Sequence, residues 1–142
     1  MAISHLKIKS FRNHKEKTIS FNKGLTVIFG DNGSGKTNIL EAISLFSPGR
    51  GLRGAANQDL VKVEENANSF EIEILLKYKS GYVNLCKKFL NSKKKENYYL
   101  ADGEKINSNE LLNYLRIIWV TPSMEKLMLQ SNTEKRSFFD RL

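Results

Sequence analysis

Residues 24–42 read Gly24-Leu25-Thr26-Val27-Ile28-Phe29-Gly30-Asp31-Asn32-Gly33-Ser34-Gly35-Lys36-Thr37-Asn38-Ile39-Leu40-Glu41-Ala42, and this stretch decides the fold. Gly30, four intervening residues, then Gly35, Lys36 and Thr37 have the spacing of a phosphate-binding P-loop. Before the loop, Leu25 to Phe29 is a short apolar run between glycines, predicted as a strand buried on both faces. After it, Ile39, Ala42, Ile43 and Phe46 recur at helical spacing with Leu40 beside them, and Pro48 and Gly49 end that helix. Glycines let the backbone curl so that successive N–H groups point into one concavity. The helix N-terminus adds the positive end of its dipole. The expected phosphate site is therefore Gly30, Asp31, Asn32, Gly33, Ser34, Gly35, Lys36 and Thr37. Lys36 would reach the β- and γ-phosphates of a purine nucleotide, and the Thr37 hydroxyl would be the magnesium ligand.

Working outward, Leu6 and Ile8 alternate with Lys7 and Lys9, and Ile19 and Phe21 with Thr18 and Ser20, so two half-buried strands precede the loop. Asn22-Lys23-Gly24 is a turn. The stretch from Ser47 to Gly54, rich in glycine and arginine, is a loop. A β-region is expected over about 60–106. In it Phe70, Ile72 and Ile74 alternate with Glu71 and Glu73, Ser80-Gly81 turns the chain, and Asp102-Gly103 signals a tight hairpin. Asn107 with Glu110 can cap a short helix through Leu115, and Ile117 to Val120 reads as another buried strand. Thr121-Pro122 opens a helical segment, about 122–142, with a further capping box at Ser131 and Glu134 and apolar Phe138, Phe139 and Leu142. No helix stop follows Leu142, so the expectation is an incomplete domain. The fold class expected is α/β: the N-terminal lobe of a P-loop NTPase head with an antiparallel β-region, spanning 1–142.

The composition is that of one globular domain of 142 residues. No apolar run is long enough to span a membrane and no signal-peptide core is present, so a cytoplasmic location is expected. The single Cys86 excludes an internal disulfide and a cysteine-built zinc site, and an inert buried thiol is expected. Lys and Arg number 23 against 15 Asp and Glu, a net charge of +8, which favours polyanionic partners. Much of the surplus is local, at Lys87, Lys88, Lys93, Lys94 and Lys95. It fits a DNA-tracking patch or a solvated lysine-rich hairpin. A Walker B acid is not evident: Thr121 and Pro122 follow Ile117–Val120, and Lys77 follows Ile74-Leu75-Leu76. The chain has a phosphate cradle and no recognisable hydrolytic base.

The wording Asn32-Gly33-Ser34-Gly35-Lys36-Thr37-Asn38-Ile39-Leu40-Glu41-Ala42 is narrower than a bare P-loop. It resembles the N-terminal head of the RecF/SMC/Rad50 group of ABC-type ATPases. Leu6-Lys7-Ile8-Lys9-Ser10-Phe11-Arg12-Asn13-His14 resembles the group's opening strand. Within the group, Ser47-Pro48-Gly49-Arg50-Gly51-Leu52-Arg53 and Glu134-Lys135-Arg136-Ser137-Phe138-Phe139-Asp140-Arg141-Leu142 are similar to stretches of the RecF family. The resemblance spans the whole chain and covers about the first two-fifths of a RecF protein. It implies that residues 30–37 hold ATP and Mg2+ and that Asn38 supports the loop. It places Arg12 and Asn13 on a segment that approaches the nucleotide in related heads, although the residues alone equally describe a polar turn. Arg50 and Arg53 could face nucleotide or DNA, or form an exposed loop. His14, where RecF commonly has tyrosine, is read as a packing variant. Thr121-Pro122-Ser123 lacks the family's acids, and Trp119 is read as core. For the full-length family the resemblance implies a weak DNA-dependent ATPase of recombinational repair, an ATP-dependent homodimer, and RecO, RecR and DNA as partners. This chain, lacking signature and Walker B motifs, is not expected to hydrolyse ATP alone. A piece of another SMC-like ATPase, or a remnant without activity, are the competing readings.

Overall fold

The computed structural model describes residues 1–63, 68–91 and 95–122. Its frame is one antiparallel sheet of six strands in the order β2-β1-β3-β4-β5-β6. The strands are β1 (Ala2–Phe11), β2 (His14–Ser20), β3 (Ser69–Tyr78), β4 (Gly81–Leu90), β5 (Glu96–Ala101) and β6 (Glu104–Ile106). The alternation seen in the sequence sets which face is buried, because successive strand side chains point to opposite faces. Leu6 and Ile8 stand opposite Ile74 and Ile72, which stand in turn opposite Leu85 and Lys87. On the other face, Glu71 accepts hydrogen bonds from Lys9 at 3.2 Å and pairs with Lys88 at 2.6 Å.

Turn chemistry fixes the hairpins. Asp102 and Gly103 both have positive φ, 48° and 90°, the requirement of a two-residue turn that matches strand twist. The Asp102 carboxylate also accepts a hydrogen bond from the Asn84 N–H at 2.8 Å, tying the turn to β4. After β6, Asn107 Oδ1 accepts from the N–H groups of Asn109 and Glu110, and Glu110 accepts from the Asn107 N–H. This reciprocal cap opens a single 3-10 turn, Glu110–Asn113, which seats Leu111 in the core.

Helix α1 (Lys36–Ser44) covers the apolar face of the sheet, and a short helix α2 (Asn57–Leu60) follows the glycine-rich loop. Ile39, Ala42, Leu45 and Phe46 join Leu6, Ile8, Ile72, Ile74 and Leu85 in one core. Phe11, Phe70 and Phe89 extend it through ring contacts at 5.4 and 5.6 Å. Cys86 lies buried in β4, where burial pushes its thiol up to about 12, so it stays protonated and unreactive.

Two predicted strands do not form. The run Leu25–Phe29 is not a central strand: Leu25 is 94%, Val27 71% and Phe29 88% exposed. Ile117–Val120 is likewise not a strand; Ile118 and Val120 are exposed, and Trp119 is half-buried rather than core. The physical reason is common to both. A strand buried on two faces needs hydrogen-bonded neighbours and covering layers, and every strand pairing among the described residues lies within the antiparallel sheet. Apolar composition alone cannot make a strand without a partner edge. The predicted helical segment and the capping box at Ser131 and Glu134 lie outside the described residues.

Lys87 is also not where the sequence suggested. It points from β4 into the core side, is 2% exposed, and donates to the Tyr99 hydroxyl at 2.7 Å and to Asn97 Oδ1 at 3.2 Å. Burial lowers its ammonium from 10.5 to about 8. Unfolded chains keep this proton to higher pH than folded ones, so stability rises as pH climbs through that window. The unfolding free energy of the chain, minus that of Lys87→Met, should be flat below pH 7. It should rise by about 3 kcal/mol between pH 8 and 10.5. Denaturant titrations across pH test this, and a flat difference would show that the ammonium is not desolvated.

Candidate phosphate-binding site

The loop between Gly30 and Thr37 is shaped by left-handed glycines. Gly30, Gly33 and Gly35 have φ of 147°, 85° and 90°. Gly35 is the N-cap of α1, and its carbonyl accepts from the N–H groups of Asn38 and Ile39 at 3.0 and 3.1 Å. A Cβ on Gly35 would lie 2.6 Å from the His14 ring and 2.7 Å from Asn13 Oδ1, so glycine is required there by both φ and space. Around Gly33 a Cβ would meet nothing within 4 Å, so glycine is favoured there by its φ of 85° and not by crowding.

Lys36 leaves the first turn of α1 and folds over the loop, donating to the carbonyls of Gly30 and Asp31 at 2.7 Å each. The next residue, Thr37, is exposed, and among the described residues its hydroxyl has no hydrogen-bond partner. An open glycine nest, a helix N-terminus, an ammonium above them and an exposed hydroxyl fit a nucleotide phosphate with a hard cation. Residues 30–37 would hold the phosphates, and Thr37 would ligate Mg2+.

The turn from β1 to β2 supports this loop from below. Asn13 Nδ2 donates to the Gly33 carbonyl at 3.3 Å, and Asn13 Oδ1 accepts from Asn38 at 2.8 Å. His14 Nε2 sits 3.3 Å from the Gly35 carbonyl. Arg12 holds a left-handed backbone, φ 52°, which turns its guanidinium toward α1. There it makes a two-pronged pair with Glu41, Nε to Oε2 at 2.9 Å and an NH2 group to Oε1 at 2.7 Å. Arg53, from the loop after α1, donates to the same carboxylate at 3.2 Å and to Asn38 Oδ1 at 2.9 Å. Hydrogen bonding to Glu41 raises Arg12 above its ordinary value, so Arg12 is a permanent cation.

The structure therefore gathers Arg12, Asn13, Asn38 and Arg53 around the loop, and the other basic residues expected to meet DNA do not form one exposed patch. Arg50 is exposed on the following loop. Lys87 is buried and cannot join an exposed basic patch, while Lys88 lies on the opposite face, bound to Glu71. Lys95 is exposed and bonded to Gln58 at 2.8 Å. Lys93 and Lys94 lie outside the described residues.

Sequence reasoning gave Glu41 no role. Its signal was there: an acid two residues after Ile39 and one before Ala42 stands inside the apolar stripe of the helix, where a carboxylate is stable only if paired. His14 was read only as packing, yet its ring sets the space that demands Gly35. Glu41→Ala should cost about 2–4 kcal/mol in chemical denaturation, because two cations lose their buried partner. Removing Arg53, which is 44% exposed, should cost under about 1 kcal/mol. Equal costs would mean Glu41 does not organise the network.

A model of the AAA domain family matches residues 5–139. The DNA replication and repair protein RecF of Rickettsia canadensis is 40% identical over 136 residues, covering 95% of this chain and 37% of that protein. The RecF of Agrobacterium fabrum is 37% identical over 144 residues, with 38% of its length covered. The chain thus spans well under half the length of these relatives. Among solved structures, the recombination mediator protein RecF-ATPrS in the RecFOR pathway superposes with a TM-score of 0.86 at 25% identity, over 99% of this chain and 37% of that one. A chain from work on ATP-driven dimerization and DNA stimulated activation of SMC ATPases matches with a TM-score of 0.77 at 26% identity, each chain covered to 98%. The likeness runs to the N-terminal portion of RecF and of SMC-like heads, in agreement with the fold class expected from the sequence.

Proposed function

The chain belongs to the AAA domain family, and from that premise we propose that it binds ATP with Mg2+ as the N-terminal part of a RecF-type protein of DNA repair. The observation that carries this reading is the supported loop itself. Three left-handed glycines lead into α1, the Lys36 ammonium folds over them, Thr37 is exposed beside it, and Asn13, His14 and Asn38 brace the loop. ATP supplies a triphosphate whose charge the nest, the helix terminus and Lys36 would hold, and Thr37 would hold Mg2+, which would supply further positive charge to the phosphates.

For the longer protein we extend the proposal to weak DNA-stimulated ATP hydrolysis in the cytoplasm, an ATP-dependent homodimer, and RecO, RecR and DNA as partners. The RecF relatives and the RecFOR description of one structural neighbour support it. The apolar runs at Leu25–Phe29 and Ile117–Val120 would then find their strand neighbours in the remainder of the head. Arg50, Arg53, Lys88, Lys93, Lys94 and Lys95 remain candidates for weak backbone contacts to DNA, and Lys87 is not part of an exposed basic surface.

Lys36→Ala removes the charge and leaves the backbone nest. Calorimetry with ATP and Mg2+ should show affinity at least about tenfold weaker, or 1.4 kcal/mol; unchanged affinity would sink the assignment. For DNA, titrations at several salt concentrations against two unrelated duplexes should give equal affinities. The log–log salt slope should be about −0.9 per phosphate neutralised. If replacing Lys93, Lys94 and Lys95 with Ala leaves that slope intact, the hairpin is not a contact.

A further inference from the structure

A second polar cleft lies away from the P-loop, between β4–β5 and the loops that follow α1. Its volume is about 340 Å3, within the range of small-molecule sites, and none of residues 30–37 lines it. Lys87 and Tyr99 line it from the sheet, with Asn97 beside them. Arg50 comes from the loop after α1, Asn57 from α2, and Ser108 from the segment after β6. Two cations and several hydrogen-bonding side chains line it, and among the described residues no carboxylate does.

That absence is unusual within this chain. Arg12 and Arg53 are bound to Glu41, and Lys9 and Lys88 to Glu71. Lys87 is more deeply buried than any of these, yet no ion pair among the described residues includes it. Its ammonium has three donors. One goes to the Tyr99 hydroxyl and one to Asn97 Oδ1, which leaves a third beside the cleft. Tyr99 passes its own proton to the Leu45 carbonyl at 2.9 Å, so its oxygen is fixed as an acceptor and holds the ammonium in place. A buried cation is costly without a counter-charge, and here the cleft is where a counter-charge can enter.

We propose that this cleft binds a phosphate group, with Lys87 and Arg50 supplying charge and Ser108 and Asn57 supplying hydrogen bonds. Phosphate suits the site better than carboxylate because donors line it from four separate chain segments, and a tetrahedral group offers three or more acceptor oxygens to them. The group could come from free phosphate or from a nucleic-acid backbone, and one measurement separates them. In the full chain carrying Lys36→Ala, which weakens the P-loop, the side-chain resonance of Lys87 is followed by NMR, assigned through bonds from its own backbone. Sodium phosphate is titrated at constant ionic strength, and a short DNA duplex in a parallel arm. The resonance should move saturably with phosphate, and Arg50→Gln, a change at an exposed residue, should weaken that response at least fivefold. A duplex that moves the same resonance and competes with phosphate identifies a backbone phosphate as the source; movement with phosphate alone identifies a free one. A resonance unmoved in both arms, or a response indifferent to Arg50→Gln, overturns the site. Because the background already carries Lys36→Ala, failure here leaves the ATP proposal standing.

Discussion

The buried carboxylate of Glu41 is the constraint on which the rest of the architecture depends. It is 1% exposed, and a carboxylate buried to that degree is costly unless it is paired and hydrogen-bonded. Arg12 reaches it from the end of β1 and Arg53 from the loop after α1, so three segments far apart in sequence converge on two oxygen atoms. The same arginines have second contacts, Arg12 with the Asp59 carbonyl and Arg53 with Asn38. One acid thereby fixes the strand end, the helix and the glycine-rich loop. A lysine at either position could not reproduce the planar two-pronged contact that Arg12 makes.

With α1 anchored at its middle, its two ends are held by different chemistry. At the N-terminus, Asn13 and His14 meet the carbonyls of Gly33 and Gly35, so the β1–β2 turn presses against the phosphate loop. At the C-terminus, the Ser44 hydroxyl donates to the Glu41 carbonyl and accepts from the Leu52 N–H, while Tyr99 donates to the Leu45 carbonyl. The Leu45 carbonyl is one that a helix end leaves without a partner, whereas the Glu41 carbonyl accepts from both Ser44 and the Leu45 N–H. A loop that must hold its N–H groups converged gains from this arrangement, since the donors are already ordered before a ligand arrives.

What the sequence disclosed follows from range. The alternation of Phe70, Ile72 and Ile74, the turn at Asp102-Gly103 and the cap at Asn107 and Glu110 are set by neighbours within a few residues, and each stands in the structure as read. The glycine turn that leads into α1 was legible for the same reason. Leu25–Phe29 and Ile117–Val120 were misread because their hydrophobicity reports the environment they need, and that environment consists of strands that the described residues do not pair with them. Glu41 and Lys87 share a different difficulty. Each is a charged residue at a position whose period places it inside, and whether that signals a surface error or a paired interior depends on partners distant in sequence, at Arg12 for one and Tyr99 for the other.

The charge balance illustrates how composition and location diverge. A net +8 suggests a broad positive surface, yet Arg12, Arg53, Lys9 and Lys88 each face a carboxylate, and Lys87 is buried. The cations with the largest effect on the fold are thus the ones least available to a polyanion passing over the surface. Attraction for such a partner depends on charge within about a Debye length of it, roughly 10 Å at 0.1 M salt. Arg12 and Arg53 share one carboxylate and Lys9 and Lys88 share another, so pairing halves the field of each cluster without cancelling it. Exposed groups such as Arg50 and Lys95, which border the cleft's loops and α2, add to that remaining charge, so the electrostatic surface draws on loop residues as well as on the sheet.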